Sequence, residues 1–99
     1  MKKLFISQPM RGKTDEEIIV ERNDAIGKAK AIYGKDIEVI DSFFQNAPTD
    51  VKPLWYLGKS LELLSKADLV YFTEGWENTR GCIIEHECAV RYGIPILRD

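Results

Sequence analysis

"ADLVYFTEGWENTRGCIIEHECAVRYGIPIL", residues 67–97, decides the fold. Residues 67–72 form a nearly continuous apolar run, as a strand covered on both faces does. A polar loop follows. From about Arg80 to Tyr92 apolar residues return at helical spacing, and Gly93 stops the pattern. "IPIL" (94–97) is again apolar. Strand, helix and strand in succession make the crossover unit of a parallel sheet.

The rest of the chain repeats this alternation. "KLFIS" (3–7) and "DIEVID" (36–41) read as strands. Between them a helix starts at Thr14, in a Thr-x-x-Glu capping box with Glu17, and ends at Gly34. Its apolar positions Ile18, Ala25, Ile26, Ala29 and Ile32 predict the buried face. A second helix, roughly Pro53 to Ser65, carries Leu54, Leu57, Leu61 and Leu64 on one side. The expectation is an α/β fold: a flavodoxin/Rossmann-like three-layer sandwich around a four-stranded parallel sheet. The order 2-1-3-4 follows by analogy with flavodoxin-like sheets and from right-handed crossovers. Residues 41–53, "DSFFQNAPTDVKP", form a long loop with Phe43 and Phe44 as anchors or pocket walls.

Ninety-nine residues make a single domain, 1–99, with 44% apolar and 30% charged residues, the mix of an ordinary globular protein. A net charge of −2 gives no electrostatic reason to expect a nucleic-acid polymer or an anionic membrane as partner. No apolar run reaches the length of a membrane span. Gln8 and Pro9 interrupt the apolar start, so no signal peptide is expected. The two cysteines lie too far apart on one helix for a disulfide, and cytoplasm is the expected compartment.

On the helix from about Arg80, Ile84, Cys88, Tyr92, Ala89 and Cys82 share a face, with Glu85 in its middle. A charged carboxylate there is costly unless paired, and Arg11 and Arg80 are the candidate partners. The alternatives are a buried ion pair that only fixes two loops, and a functional carboxylate. Glu87 points away and can pair with Arg91. Ile83 and Val90 form a second stripe, expected to pack under a loop or to serve as an oligomer contact. Cys82 and His86 stand four apart, but no third Cys or His completes a zinc site, so no metal is expected.

In order 2-1-3-4 the crevice for a ligand lies beyond the carboxyl ends of the first and third strands. "SQPMRGKT" follows the first and "TEGWENTRG" the third. Neither has the spacing of a P-loop or a dinucleotide fingerprint, and no cofactor is expected. Arg11 and Lys13 beside a helix start make a plausible seat for one phosphate.

"FISQPMRG", "ELLSKADLVYF" and "RGCIIEHECAVRYGIPI" together resemble the nucleoside 2-deoxyribosyltransferase superfamily. The nearest pattern is that of its small, often phage-associated members of unknown function, with Gly75, Trp76, Glu77, Thr79, Arg80, Gly81, Glu85, His86 and Ala89 as the signature. The resemblance implies a transferase or hydrolase acting on the N-glycosidic bond of a deoxynucleoside or its 5′-monophosphate, with Glu85 as nucleophile. It implies substrate contacts from Ser7, Gln8, Pro9, Arg11 and Gly12 in the first loop. Trp76, Glu77, Arg80 and Gly81 are the implied contacts in the last motif. Trp76 and a residue such as Phe43 or Trp55 would stack on the base. A homodimer or higher oligomer is also implied.

The sequence departs from the pattern at Ser60, where active members carry Asp, at Phe5, where they carry Tyr, and at Gln8, where they carry Gly. Gln8 is placed to intrude on the pocket. Ser60 and Phe5 speak for the alternative, a non-catalytic nucleotide-binding module of the same fold.

Overall fold

A computed structural model describes residues 1–44 and 47–98. β1 (Lys2–Ser7) is followed by α1 (Asp15–Tyr33), β2 (Ile37–Val39), α2 (Pro53–Leu64), β3 (Leu69–Phe72), α3 (Arg80–Arg91) and β4 (Ile96–Leu97). The four strands are parallel and lie in the order β2-β1-β3-β4. The fold is thus the three-layer, Rossmann-like α/β architecture expected from the alternation.

Strand alternation divides the core in two. Leu4 and Ile6 of β1 face one way and meet Ala25 and Ala29 of α1, with Ile37, Leu69 and Tyr71. Phe5 faces the other way and packs with Leu64 of α2, Val70 of β3 and Ala89 of α3. This division follows from topology. The chain moves from β1 outward to β2, then back across β1 to β3 and β4, so right-handed crossovers put α1 on one face and α2 with α3 on the other. Ser7 shares the face of Phe5. Its side chain therefore projects toward α2 and α3 at the carboxyl end of β1.

The capping box of α1 is formed. The Glu17 amide donates to Thr14 Oγ1 at 3.2 Å, and the Thr14 amide donates to Glu17 Oε1 at 3.0 Å. The buried face of α1 differs from the expectation in two residues. Ile32 is 40% exposed, whereas Arg22 is buried between Ile18 and Ala25. Positions 18, 22, 25 and 29 are the true stripe, and Arg22 fits it by donating from Nη2 to the Ile40 carbonyl at 2.7 Å.

The later strands are shorter than their apolar runs. Pro95 has no amide to donate, so it enters the sheet only through its carbonyl, which accepts from Val70 N at 3.0 Å, and β4 begins at Ile96. At the start of β3, Ala67 is still tied to Leu64 by the turn that ends α2.

The loop after β2 is anchored as expected for Phe44, whose ring lies 6.2 Å from that of Trp55 and 6.5 Å from that of Tyr56. Phe43 is half-buried beside it, and Gln45 and Asn46 lie outside the described residues.

Leu64 joins α2 to the face of the sheet that carries Ser7 and is 2% exposed. Leu64→Ala should lower stability by ~2–5 kcal/mol, read as a lower midpoint in urea unfolding with little change in slope.

Candidate functional site

Glu85 sits one and a half turns into α3 and is 7% exposed. It shares the inward face with Cys82 and Ala89, as the helical spacing predicts, although Tyr92 does not. That residue caps the helix with φ −102° and ψ 9°, leaves the helical register, and stands 82% exposed.

Neither Arg11 nor Arg80 pairs with the carboxylate. Instead Ser7 Oγ donates to Glu85 Oε1 at 2.5 Å, and the Ser60 hydroxyl of α2 also stabilises the charge. The reason is position. Arg11 lies on the exposed turn after β1, and Arg80 is exposed in the first turn of α3, five residues before Glu85, whereas Ser7 is buried against that helix. Burial nevertheless prevails over the two hydroxyls, and the Glu85 pKa is raised above its ordinary 4.5.

Cys82 completes the buried group. Burial pushes its thiol pKa up to about 11, an effect that the neighbouring Ser7 hydroxyl only partly offsets. Ser7 thus stands between Cys82 and Glu85 and donates its one hydroxyl proton to the acid.

This carboxylate is buried but not sealed. It forms part of the wall of a cleft of about 540 Å³ between α2 and α3. Lys52, Pro53, Leu54, Tyr56, Leu57 and Ser60 line one side, and Arg80, Gly81, Ile84 and Glu85 the other. The volume is within the range of small-molecule sites, roughly 300–1,000 Å³. Glu85 is the one acid among these lining residues. Leu54, expected on the inward face of α2, is instead 74% exposed at the rim.

Of the residues singled out from sequence, Arg80, Gly81 and Glu85 line the cleft, and Ser7 touches it through Glu85. The two loops do approach each other: a side chain on Gly75 would come within 4.0 Å of Pro9. Gln8, expected to project into the pocket, is turned toward α1, where its Nε2 donates to the Ile18 carbonyl at 2.8 Å. That carbonyl lies in the first turns of α1, whose start must be tied to the end of β1. Arg11, Gly12 and Glu77 are exposed and lie outside the cleft lining.

Trp76 belongs to a separate, smaller hollow of about 170 Å³ at the ends of β3 and β4. There it stacks on His86 with ring centres 4.2 Å apart and planes at 14°, and Phe72 meets the edge of the same imidazole. Cys82 and His86, four residues apart, thus serve different surroundings. Ile83 and Val90 do not pack under a loop. They are 45% and 56% exposed on the outer side of α3, where Glu87 pairs with Arg91.

Seven cleft residues were not expected as contacts: Lys52, Pro53, Leu54, Tyr56, Leu57, Ser60 and Ile84, with Ser60 noted only as the position where the resembled family carries Asp. A sequence signal existed for Ser60, which falls one turn from Leu57 and Leu64 on the apolar side of α2. It is the same anomaly as Glu85, a polar residue on an inward face.

A family profile described as Domain of unknown function (DUF4406) matches residues 2–98, so the chain belongs to that family. No curated protein and no solved structure matches the chain.

The raised pKa has a sign for folding. Ionising Glu85 in the folded protein costs more than in the unfolded chain, so stability is greatest below 4.5 and falls as pH rises through the raised value. Glu85→Gln should therefore melt a few degrees above the wild type near neutral pH. Calorimetric scans should show that gap shrinking to nothing in acid.

Proposed function

We propose that this DUF4406 protein binds a nucleoside or nucleotide in the cleft between α2 and α3 and cleaves or transfers its N-glycosidic bond through Glu85. The observation that carries the reading is the state of that carboxylate. It is desolvated, held by hydroxyls rather than neutralised by a guanidinium, and open to a cleft on one side. The resemblance of "FISQPMRG" and the Glu85 signature to the nucleoside 2-deoxyribosyltransferase superfamily supports the substrate class.

A desolvated carboxylate is a stronger nucleophile than one in water, and covalent catalysis splits a hard displacement into two easier ones. In the first step a Glu85 oxygen bonds the anomeric carbon, and the C–N bond breaks with its electron pair leaving on the base. In the second, water or another base attacks the same carbon and the ester oxygen departs, restoring the carboxylate. The oxocarbenium-like transition state is cationic, so a buried negative charge beside it is stabilising. Ser7 aims the nucleophile and favours its ionised form against burial. A homodimer or higher oligomer is part of this reading, with the exposed Ile83 and Val90 as a contact stripe.

A second reading is favoured by one specific observation. The cleft presents Ser60 near Glu85 and no second carboxylate among its lining residues, so no side-chain acid there protonates a departing base. A nucleotide-binding module without turnover fits that lining.

Incubation with deoxynucleosides and their 5′-monophosphates, monitored for free base, separates the two. The enzyme reading expects release that Glu85→Ala abolishes, and equal rates in both proteins would end it. Activity should fall on acidification at a pH above 4.5, and Ser7→Ala should move that limb higher still, since it removes a bond that favours the ionised form. Light scattering should report more than one chain per particle, and a clean monomer would remove the oligomer from the reading.

A further inference from the structure

The mouth of the cleft carries a charge pattern opposite to that of its floor. Lys52 immediately precedes α2 and Arg80 opens α3, and both side chains line the cleft. Neither has a carboxylate within ion-pair distance among the described residues, whereas Lys13, Lys59 and Arg91 are paired with Glu21, Glu62 and Glu87. Two unpaired cations thus converge on one cavity whose single acid lies deeper.

The depth is fixed by the helix. Arg80 and Glu85 are five residues apart on α3, or about 7.5 Å along its axis at 1.5 Å per residue. Both flanking helices cross the same face from parallel strands, so their amino ends lie together at the mouth. Ser60 sits beside Glu85 on the floor. Neither α2 nor α3 has a side chain capping its first turn, so backbone amides add donors beside the two cations.

We propose that Lys52 and Arg80 form the seat of a phosphate monoester, so that the cleft selects a nucleoside 5′-monophosphate over the free nucleoside. This inference rests on the nucleotide reading of the Glu85 cleft. A 5′-phosphate is separated from the anomeric carbon by the sugar ring and one methylene, which matches an anion at the mouth and the reacting carbon at the floor. Arg80 offers a planar fork for two phosphate oxygens, and Lys52 a point charge from the opposite wall. The exposed faces of Leu54 and Tyr56 are left for the base. The anion seat is then built from the two helix starts rather than from the turn that carries Arg11.

Calorimetric titration of the full chain tests this, with a deoxynucleoside and its 5′-monophosphate as paired probes. Run in the Glu85→Gln background, the measurement does not depend on turnover. The monophosphate should bind more tightly by about tenfold or more, as expected for charge-assisted contacts. Lys52→Ala and Arg80→Ala should each shrink that ratio, and the double variant should abolish it. Added salt should weaken the monophosphate far more than the nucleoside. Inorganic phosphate should compete with the monophosphate in the parent and not in the double variant.

Equal affinity for the two probes overturns the seat while leaving the nucleotide reading standing. So does a preference that survives in the double variant, or one that Arg11→Ala alone removes. Absence of saturable binding by either probe overturns both. Circular dichroism of each variant, matched to the parent, ties any loss to the side chains and not to unfolding.

Discussion

One hydrogen bond governs the functional side of this protein: Ser7 Oγ to Glu85 Oε1, at 2.5 Å. It joins the carboxyl end of a central strand to the second turn of a helix on the sheet face that α2 and α3 share. Without it, a carboxylate that burial already disfavours would lose its principal donor. With it, the acid is both oriented and kept within reach of ionisation. The bond depends in turn on strand alternation, because Phe5 and Ser7 point to the same face. Packing Phe5 against Leu64, Val70 and Ala89 brings α2 and α3 to the height at which Ser7 meets Glu85.

Much of the fold was legible in the sequence because its signals are local. Apolar runs, the Thr14 capping box and the glycines after two of the helices require only neighbouring residues to be read. The strand order came through analogy and handedness, and the structure has it. The presence of Glu85 on an inward face was legible for the same reason, since helical periodicity exposes a misplaced polar residue wherever it falls.

The partners of Glu85 were not legible. A charged group invites a search for opposite charge, and the sequence offered Arg11 and Arg80, whereas the structure supplies hydroxyls. Ser7 was expected only as a substrate contact, and its height against α3 makes it the partner of the acid. The walls of the cleft were hidden similarly. Lys52 and Tyr56 belong to a segment with no unusual chemistry, and they acquire significance because α2 lies beside α3. Trp76 shows the converse. It stands in the most distinctive motif, yet its ring is occupied by His86 and Phe72 on the other side of that helix.

The margins of the sheet also follow from single residues. Pro95 withholds an amide and limits β4 to two residues, and β2 has three. An open strand edge is a template on which a stray chain can add itself, and its hazard grows with the length of unpaired backbone it presents. Both borders here are too brief to offer a new strand more than a few ladder bonds. Crowding of this protein should consequently drive side-by-side contact through its helices before it drives growth of the sheet.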